Sequence, residues 1–169
     1  MNTIPGYMTD AECRALGEIF SPYNHSGAIG IEIGSLHGKS SYEISMAIPN
    51  GTLYCIDGWD GYDSSSSNFT VEMQEKMGYP KAGTLCTLEF FKDNVKDCKN
   101  IVPIKGLSPW CVKNWAEEID FVFLDALHKN PSDWENIKFW LPKLKSGGRF
   151  AGHDYYPGRQ QWPDVHDNV

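Results

Sequence analysis

Apolar positions along the chain cluster into short dense runs, separated by stretches in which they recur at helical spacing. Residues 28–33 (AIGIEI), 52–57 (TLYCID), 101–105 (IVPIK) and 119–124 (IDFVFL) are runs of strand length, and the first reads as a buried strand. A fifth strand starts over 149–152 (RFAG) and leads into His153-Asp154. Pro103 has no N–H for a ladder, so its strand belongs at a sheet edge. Leu16, Ile19 and Phe20 share one helical face behind Thr9-Asp-Ala-Glu12, a capping-box pattern, and predict a helix over 9–20. Helical spacing predicts further helices over 38–48, 69–77, 84–98, 109–117 and 133–144. Pro49-Asn-Gly51 stops the first of these and Lys145-Ser-Gly-Gly148 the last. The Gly- and Ser-rich stretch 58–70 reads as a mobile loop, with Ser64–Ser67 as linker rather than chemistry.

Strand and helix alternate throughout, which predicts an α/β fold, an open parallel sheet with helices on both faces. Its length, 169 residues, suits a single domain: a lead-in over 1–27, a core over 28–157 and the start of a C-terminal part over 158–169. Ligands of such sheets bind at the carboxyl ends of the strands, near the point where strand order reverses. Gly34, Asp57, Gly106, Asp125 and His153 each follow a strand and would gather there.

Charge and composition narrow the function classes. A net charge of −7 repels a phosphate backbone and speaks against a general nucleic-acid binder. The sequence shows no secretory pattern and no apolar run of membrane-spanning length. The five cysteines form no C-x-x-C pair and read as reduced thiols of a cytoplasmic protein, with Cys55 in the core.

Gly34-Ser-Leu-His-Gly38-Lys-Ser40 resembles two nucleotide loops and fits neither. A phosphate-binding P-loop needs one more residue between its glycines, and that position is Ile33. The dinucleotide spacing G-x-G-x-x-G is also absent. An acid at the strand end, Glu32, followed by a small-residue turn suits a cofactor with a ribose and a cationic amino-acid end. Glu32 would order the ammonium end, Gly34 would let the backbone come close, and Asp57 would accept both ribose hydroxyls.

Six segments in order carry a family resemblance: 4–9 (IPGYMT) with Glu12, 32–40 (EIGSLHGKS), 55–59 (CIDGW), 121–128 (FVFLDALH), 140–148 (WLPKLKSGG) and 152–155 (GHDY). Together they resemble class I S-adenosylmethionine-dependent methyltransferases, near the sugar and antibiotic O-methyltransferases and cephalosporin hydroxylase-like proteins. The resemblance implies a Rossmann-like sheet in which Glu32, Gly34, Ser35, Gly38, Ser40, Asp57 and Asp125 contact the cofactor. It also implies that Trp59 flanks the adenine and Ser108 sits near its edge. Leu107 stands where the family often has an acid, and Asn130 where an aromatic is common. Residues 162–169 match the start of the helix after the fifth strand, so the last two of the family's seven strands are expected to be missing. A homo-oligomer contact would then cover the exposed sheet edge.

Methyl transfer from an activated sulfonium needs alignment and a base for the nucleophile's proton. His128 and His153 are the candidate catalytic bases. Asp125, His153 and Asp154, from the ends of two neighbouring strands, are the candidate metal ligands for a divalent cation such as Mg²⁺ or a more nitrogen-tolerant ion. Tyr62, Tyr79, Tyr155, Tyr156 and Trp162 would line an acceptor pocket or pack as core and lid. The expected activity is O-methylation of a small hydroxylated acceptor such as a sugar or glycoside. The alternatives are a non-catalytic cofactor-binding module and a P-loop nucleotide-binding protein.

Overall fold

The structure, a computed structural model, describes residues 3–63, 85–126 and 132–154. The capping box closes as expected: Thr9 N–H and Oγ1 donate to Glu12 Oε2 at 2.7 and 2.8 Å, and Glu12 N–H returns to Thr9 Oγ1 at 3.3 Å. It opens α1 (Asp10–Phe20). Then follow β1 (Ile29–Ile33), α2 (Lys39–Ala47) and β2 (Thr52–Asp57). After them come β3 (Asp60–Asp63), β4 (Leu85–Thr87), α3 (Leu88–Asn94) and β5 (Ile101–Lys105). The chain continues through β6 (Ile119–Leu124), α4 (Ser132–Trp140) and β7 (Leu144–Gly152).

The main sheet is parallel throughout, in the order β5-β2-β1-β6-β7, with Pro103 on its edge as expected. Ile31 and Ile33 of β1, Ile56 of β2, and Val122 and Leu124 of β6 face one side, where Trp140 of α4 packs. Leu53 and Cys55, with Phe121 and Phe123, face the other, against Leu16 and Phe20 of α1, Ile44 of α2 and Phe91 of α3. β6 is buried along its whole length, which is why its sequence is a continuous apolar run. Phe121 stacks on Phe20 at 4.3 Å, and Gly30 makes room for it, since an added Cβ would lie 2.0 Å from the Phe121 ring. Truncating such a ring to Ala costs about 3–5 kcal/mol.

Four expectations are corrected. The helix expected over 84–98 is β4 followed by α3, because Thr87 caps the helix by accepting from Phe90 N–H at 3.2 Å and Leu85–Thr87 pairs with β3. The helix over 109–117 is a single 3₁₀ turn, Trp110–Val112. Past it, Trp115 N–H turns back to the Val112 carbonyl at 2.8 Å and its indole donates to the Glu117 carbonyl at 3.1 Å. The helix over 133–144 ends at Trp140, because Pro142 lacks the N–H and its ring clashes with the preceding turn. Lys145–Gly148 is therefore no helix stop but the irregular start of β7, where the register against β6 shifts and Gly147 has φ +81°. The helix expected over 69–77 lies outside the described residues. Among those described, no helix is long and apolar enough to cross a membrane.

Register sets up the site. Ile33 lies opposite Ile56 and Leu124, and Leu124 opposite Gly152, so the next residues, Gly34, Asp57, Asp125 and His153, emerge side by side.

Candidate cofactor and acceptor site

The turn after β1 is organised from below. Glu32 is fully buried and accepts from Ser35 Oγ at 2.7 Å, Ser40 Oγ at 2.6 Å and Ser41 Oγ. Burial pushes its carboxyl up; the serine hydroxyls pull back without cancelling the shift. Glu32, Ser35 and Ser40 thus hold the turn by gripping one another. Gly34 (φ +91°) is forced by a neighbour, since an added Cβ would meet the Asp125 carbonyl oxygen at 1.9 Å. Gly38 (φ +94°) is forced likewise by Val95 at 2.7 Å. His37, inside the turn, lies edge-on to Phe90 and is pushed by burial down to about 4, so it stays neutral.

Asp57 ends β2 and locks this turn to the next. Its Oδ2 accepts from Leu36 N–H at 2.9 Å and its Oδ1 from Trp59 N–H at 3.0 Å. Trp59 is placed differently from the expectation that it flanks an adenine. Its ring is 1% exposed, packed on Phe91 at 4.6 Å, and its indole N–H donates to the Leu36 carbonyl at 2.8 Å. It reads as core that braces the turn. Ser108, expected near an adenine edge, is also buried and accepts from the Trp140 indole at 3.0 Å.

On the other side of β1, three acids meet one imidazole. His153 Nδ1 lies 3.1 Å from Asp154 Oδ2 and 3.8 Å from Asp125 Oδ1, and its Nε2 is 3.4 Å from Glu12 Oε1. The hydrogen bond to Asp154 raises the imidazole most; burial opposes it, and the charges of Asp125, Asp154 and Glu12 complete a shift up to about 9. For Glu12, burial acts upward, but its bonds from Thr9 and the His153 charge outweigh it and lower the carboxyl. One ligand atom each from Asp125, His153 and Asp154 falls within a 4.8 Å cluster. The mixed oxygen and nitrogen donor set fits a divalent ion of middling softness. Among the described residues, all three non-glycine residues with positive φ, Leu36, Trp59 and Asp154, sit just past strand carboxyl ends. Backbone strain of this kind concentrates at functional sites.

Thus Glu32, Gly34, Ser35, Gly38, Ser40 and Asp57 come together on one side, and Asp125, His153 and Asp154 on the other. His128 and the candidate pocket residues Tyr79, Tyr155, Tyr156 and Trp162 lie outside the described residues, as does the Tyr62 side chain. Glu12, read from the sequence only as a helix cap and part of the lead-in motif, also faces the site. No spacing rule links it to His153, because the contact is purely tertiary. The P-loop reading fails in the structure: the Ser40 hydroxyl that would serve a metal–phosphate pair is held by a buried carboxylate.

A parallel sheet with a strained turn and an acid at adjoining strand ends defines an α/β domain of the nucleoside-cofactor-binding class. The chain belongs to the methyltransferase-domain family, whose profile, described as "Methyltransferase domain", matches residues 31–155. It is a Rossmann-like, S-adenosylmethionine-dependent methyltransferase, as the sequence implies. Similar folds include the O-methyltransferase NovP, at 17% identity and a TM-score of 0.62, with 94% of this chain and 68% of that one covered. A precorrin-6y C5,15-methyltransferase from Geobacter metallireducens is 18% identical with a TM-score of 0.56, covering 84% and 60%. A Streptococcus mutans protein with a provisional methyltransferase name, solved in complex with SAH, is 17% identical with a TM-score of 0.60, covering 96% and 81%. The chain spans 60% of the length of the Geobacter protein and 81% of that of the Streptococcus one. The named activities of such neighbours differ, so the fold leaves the acceptor open.

Proposed function

We propose that the chain transfers the methyl group of S-adenosylmethionine to a hydroxyl of a small acceptor such as a sugar or glycoside. The supporting observation is the contact of Gly34 with the Asp125 carbonyl, through which the cofactor turn and the acid cluster share a wall. A donor seated on the turn would present its sulfonium beside Asp125, where an acceptor hydroxyl can be aligned with it. In this reading Gly34 to Ser40 and Asp57 seat the cofactor. A carboxylate offers about four acceptor positions, so ribose hydroxyls can add to the two backbone donors already on Asp57.

Asp125, His153 and Asp154 would hold a divalent cation, Mg²⁺ or a nitrogen-tolerant ion such as Mn²⁺. When bound, such an ion supplies Lewis-acid lowering of the acceptor hydroxyl's pKa. His153, raised to about 9, carries a proton at neutral pH, so it serves as ligand or base only once that proton is displaced. His128 is the other proposed base. The test is transfer of labelled methyl from the donor to a panel of sugars, glycosides and nitrogen or carbon nucleophiles, with and without Mg²⁺ or Mn²⁺. Label on hydroxyls, dependent on the ion and lost in Asp125→Asn, supports the proposal. Label on carbon or nitrogen, or indifference to the ion, overturns it.

A further inference from the structure

The glutamate that opens the first helix does two jobs with two oxygens. Its Oε2 takes both donors of Thr9, as a capping box requires, while its Oε1 points away to His153 Nε2 at 3.4 Å. Capping explains the first oxygen and not the second. The helix that carries it is anchored by Cys13, Leu16 and Phe20 in the core, with Phe20 stacked on Phe121 of β6, the strand that leads into Asp125. Glu12 is therefore fixed relative to the acids on the far side of the imidazole.

We propose that Glu12 is a positioning residue of the site: it grips Nε2 of His153 and so turns Nδ1 toward Asp125 and Asp154. The inference rests on the cation reading above only for the purpose of that orientation, not for its existence. A histidine that ligates a cation through one nitrogen commonly donates its other N–H to a carboxylate, which fixes both tautomer and ring direction. Here the carboxylate comes from the N-terminal helix. With Nε2–H directed to Glu12, Nδ1 faces the two aspartates at 3.1 and 3.8 Å, and its lone pair opens to a cation once the Nδ1 proton is displaced. The lead-in segment thereby becomes part of the site.

The substitution that separates the two jobs is Glu12→Gln. Glutamine still serves a capping box, so the helix keeps its start, but the amide's NH₂ would face Nε2–H and could not accept its proton. The experiment compares ¹⁵N-detected ring resonances of His153 in the metal-free wild type and E12Q, alongside thermal midpoints and Mn²⁺ titration calorimetry. Expected are a cooperative transition with a modestly lowered midpoint, shifted His153 ring nitrogens, and Mn²⁺ affinity weakened about 10–100-fold. Unmoved ring resonances, or equal Mn²⁺ affinity in the two proteins, overturn the assignment. A wild type that takes up no Mn²⁺ sinks the cation reading instead, and the ring-nitrogen comparison in metal-free protein still decides the role of Glu12.

Discussion

β6 and β7 carry charged clusters at both ends, and the two clusters are built on opposite principles. At the amino ends, Asp120 is buried and matched: its Oδ2 accepts from Lys145 Nζ and from Ile29 N–H, both at 2.8 Å, and His25 stands 3.6 Å from its Oδ1. At the carboxyl ends, Glu12, Asp125 and Asp154 converge on the imidazole of His153, each within 3.8 Å. A cation of the chain itself, Lys145, meets the first carboxylate. Among the described residues, the second sets three carboxylates around one imidazole, on backbone strained at Asp154 (φ +64°). The amino end ties strands together, and under the proposed function the carboxyl end is where a sulfonium or a divalent ion would arrive.

Substitution at the two ends should separate them sharply. Asp125→Asn is expected to lower methyl transfer on the order of a hundredfold or more with a smaller change in unfolding, since it removes a proposed cation ligand while Glu12 and Asp154 still face His153. Asp120→Ala should do the reverse. It strips a partner from Lys145 and the Ile29 N–H and costs about 2–4 kcal/mol by urea unfolding, with S-adenosylmethionine affinity kept. Equal loss of both properties in either variant would break the comparison.

A pH scan of the metal-free protein sharpens it further. The folded-state value of His153 is raised from 6.5 to about 9, so its contribution is fully present below pH 6.5 and lost as pH climbs through about 9. The shift corresponds to about 3 kcal/mol, and His153→Gln should flatten that decline. The lowered carboxyl of Glu12 works in the opposite window: its contribution is present above pH 4.5 and lost as pH falls through its folded value. Asp57→Ala is expected to weaken cofactor binding by calorimetry about tenfold or more. It should also cost about 1–3 kcal/mol, because the Leu36 and Trp59 N–H groups lose their acceptor. The smallest effect is that of Thr9→Ala, about 1 kcal/mol by thermal unfolding.

What the sequence disclosed depends on whether the deciding contacts are local. β2, β5 and β6 match the predicted bounds residue for residue: β6 because a buried parallel strand writes itself as an unbroken apolar run, and β5, half-exposed at the sheet edge, despite lacking that burial. β3 and β4 left no such trace: four and three residues are too few for a period, and each exists through its partner. Pro142 was visible, yet apolar spacing on both sides masked the stop it imposes. Asp125, His153 and Asp154 were legible because strand-end position alone predicted their meeting. Gly34 and Gly38 were legible as necessary glycines but for another reason than ligand access, since their crowding partners are Asp125 and Val95. Trp59 and Ser108 were misplaced because burial of a side chain after a strand end is a tertiary outcome.

The central claim is that the carboxyl end of this sheet receives S-adenosylmethionine on the turn held by Glu32 and Asp57. Calorimetric titration of the purified protein with S-adenosylmethionine and S-adenosylhomocysteine, with ATP as control, tests it most directly. Micromolar binding of the first two and no heat from ATP is the predicted result. Binding of ATP, or silence from both sulfur ligands, would contradict it.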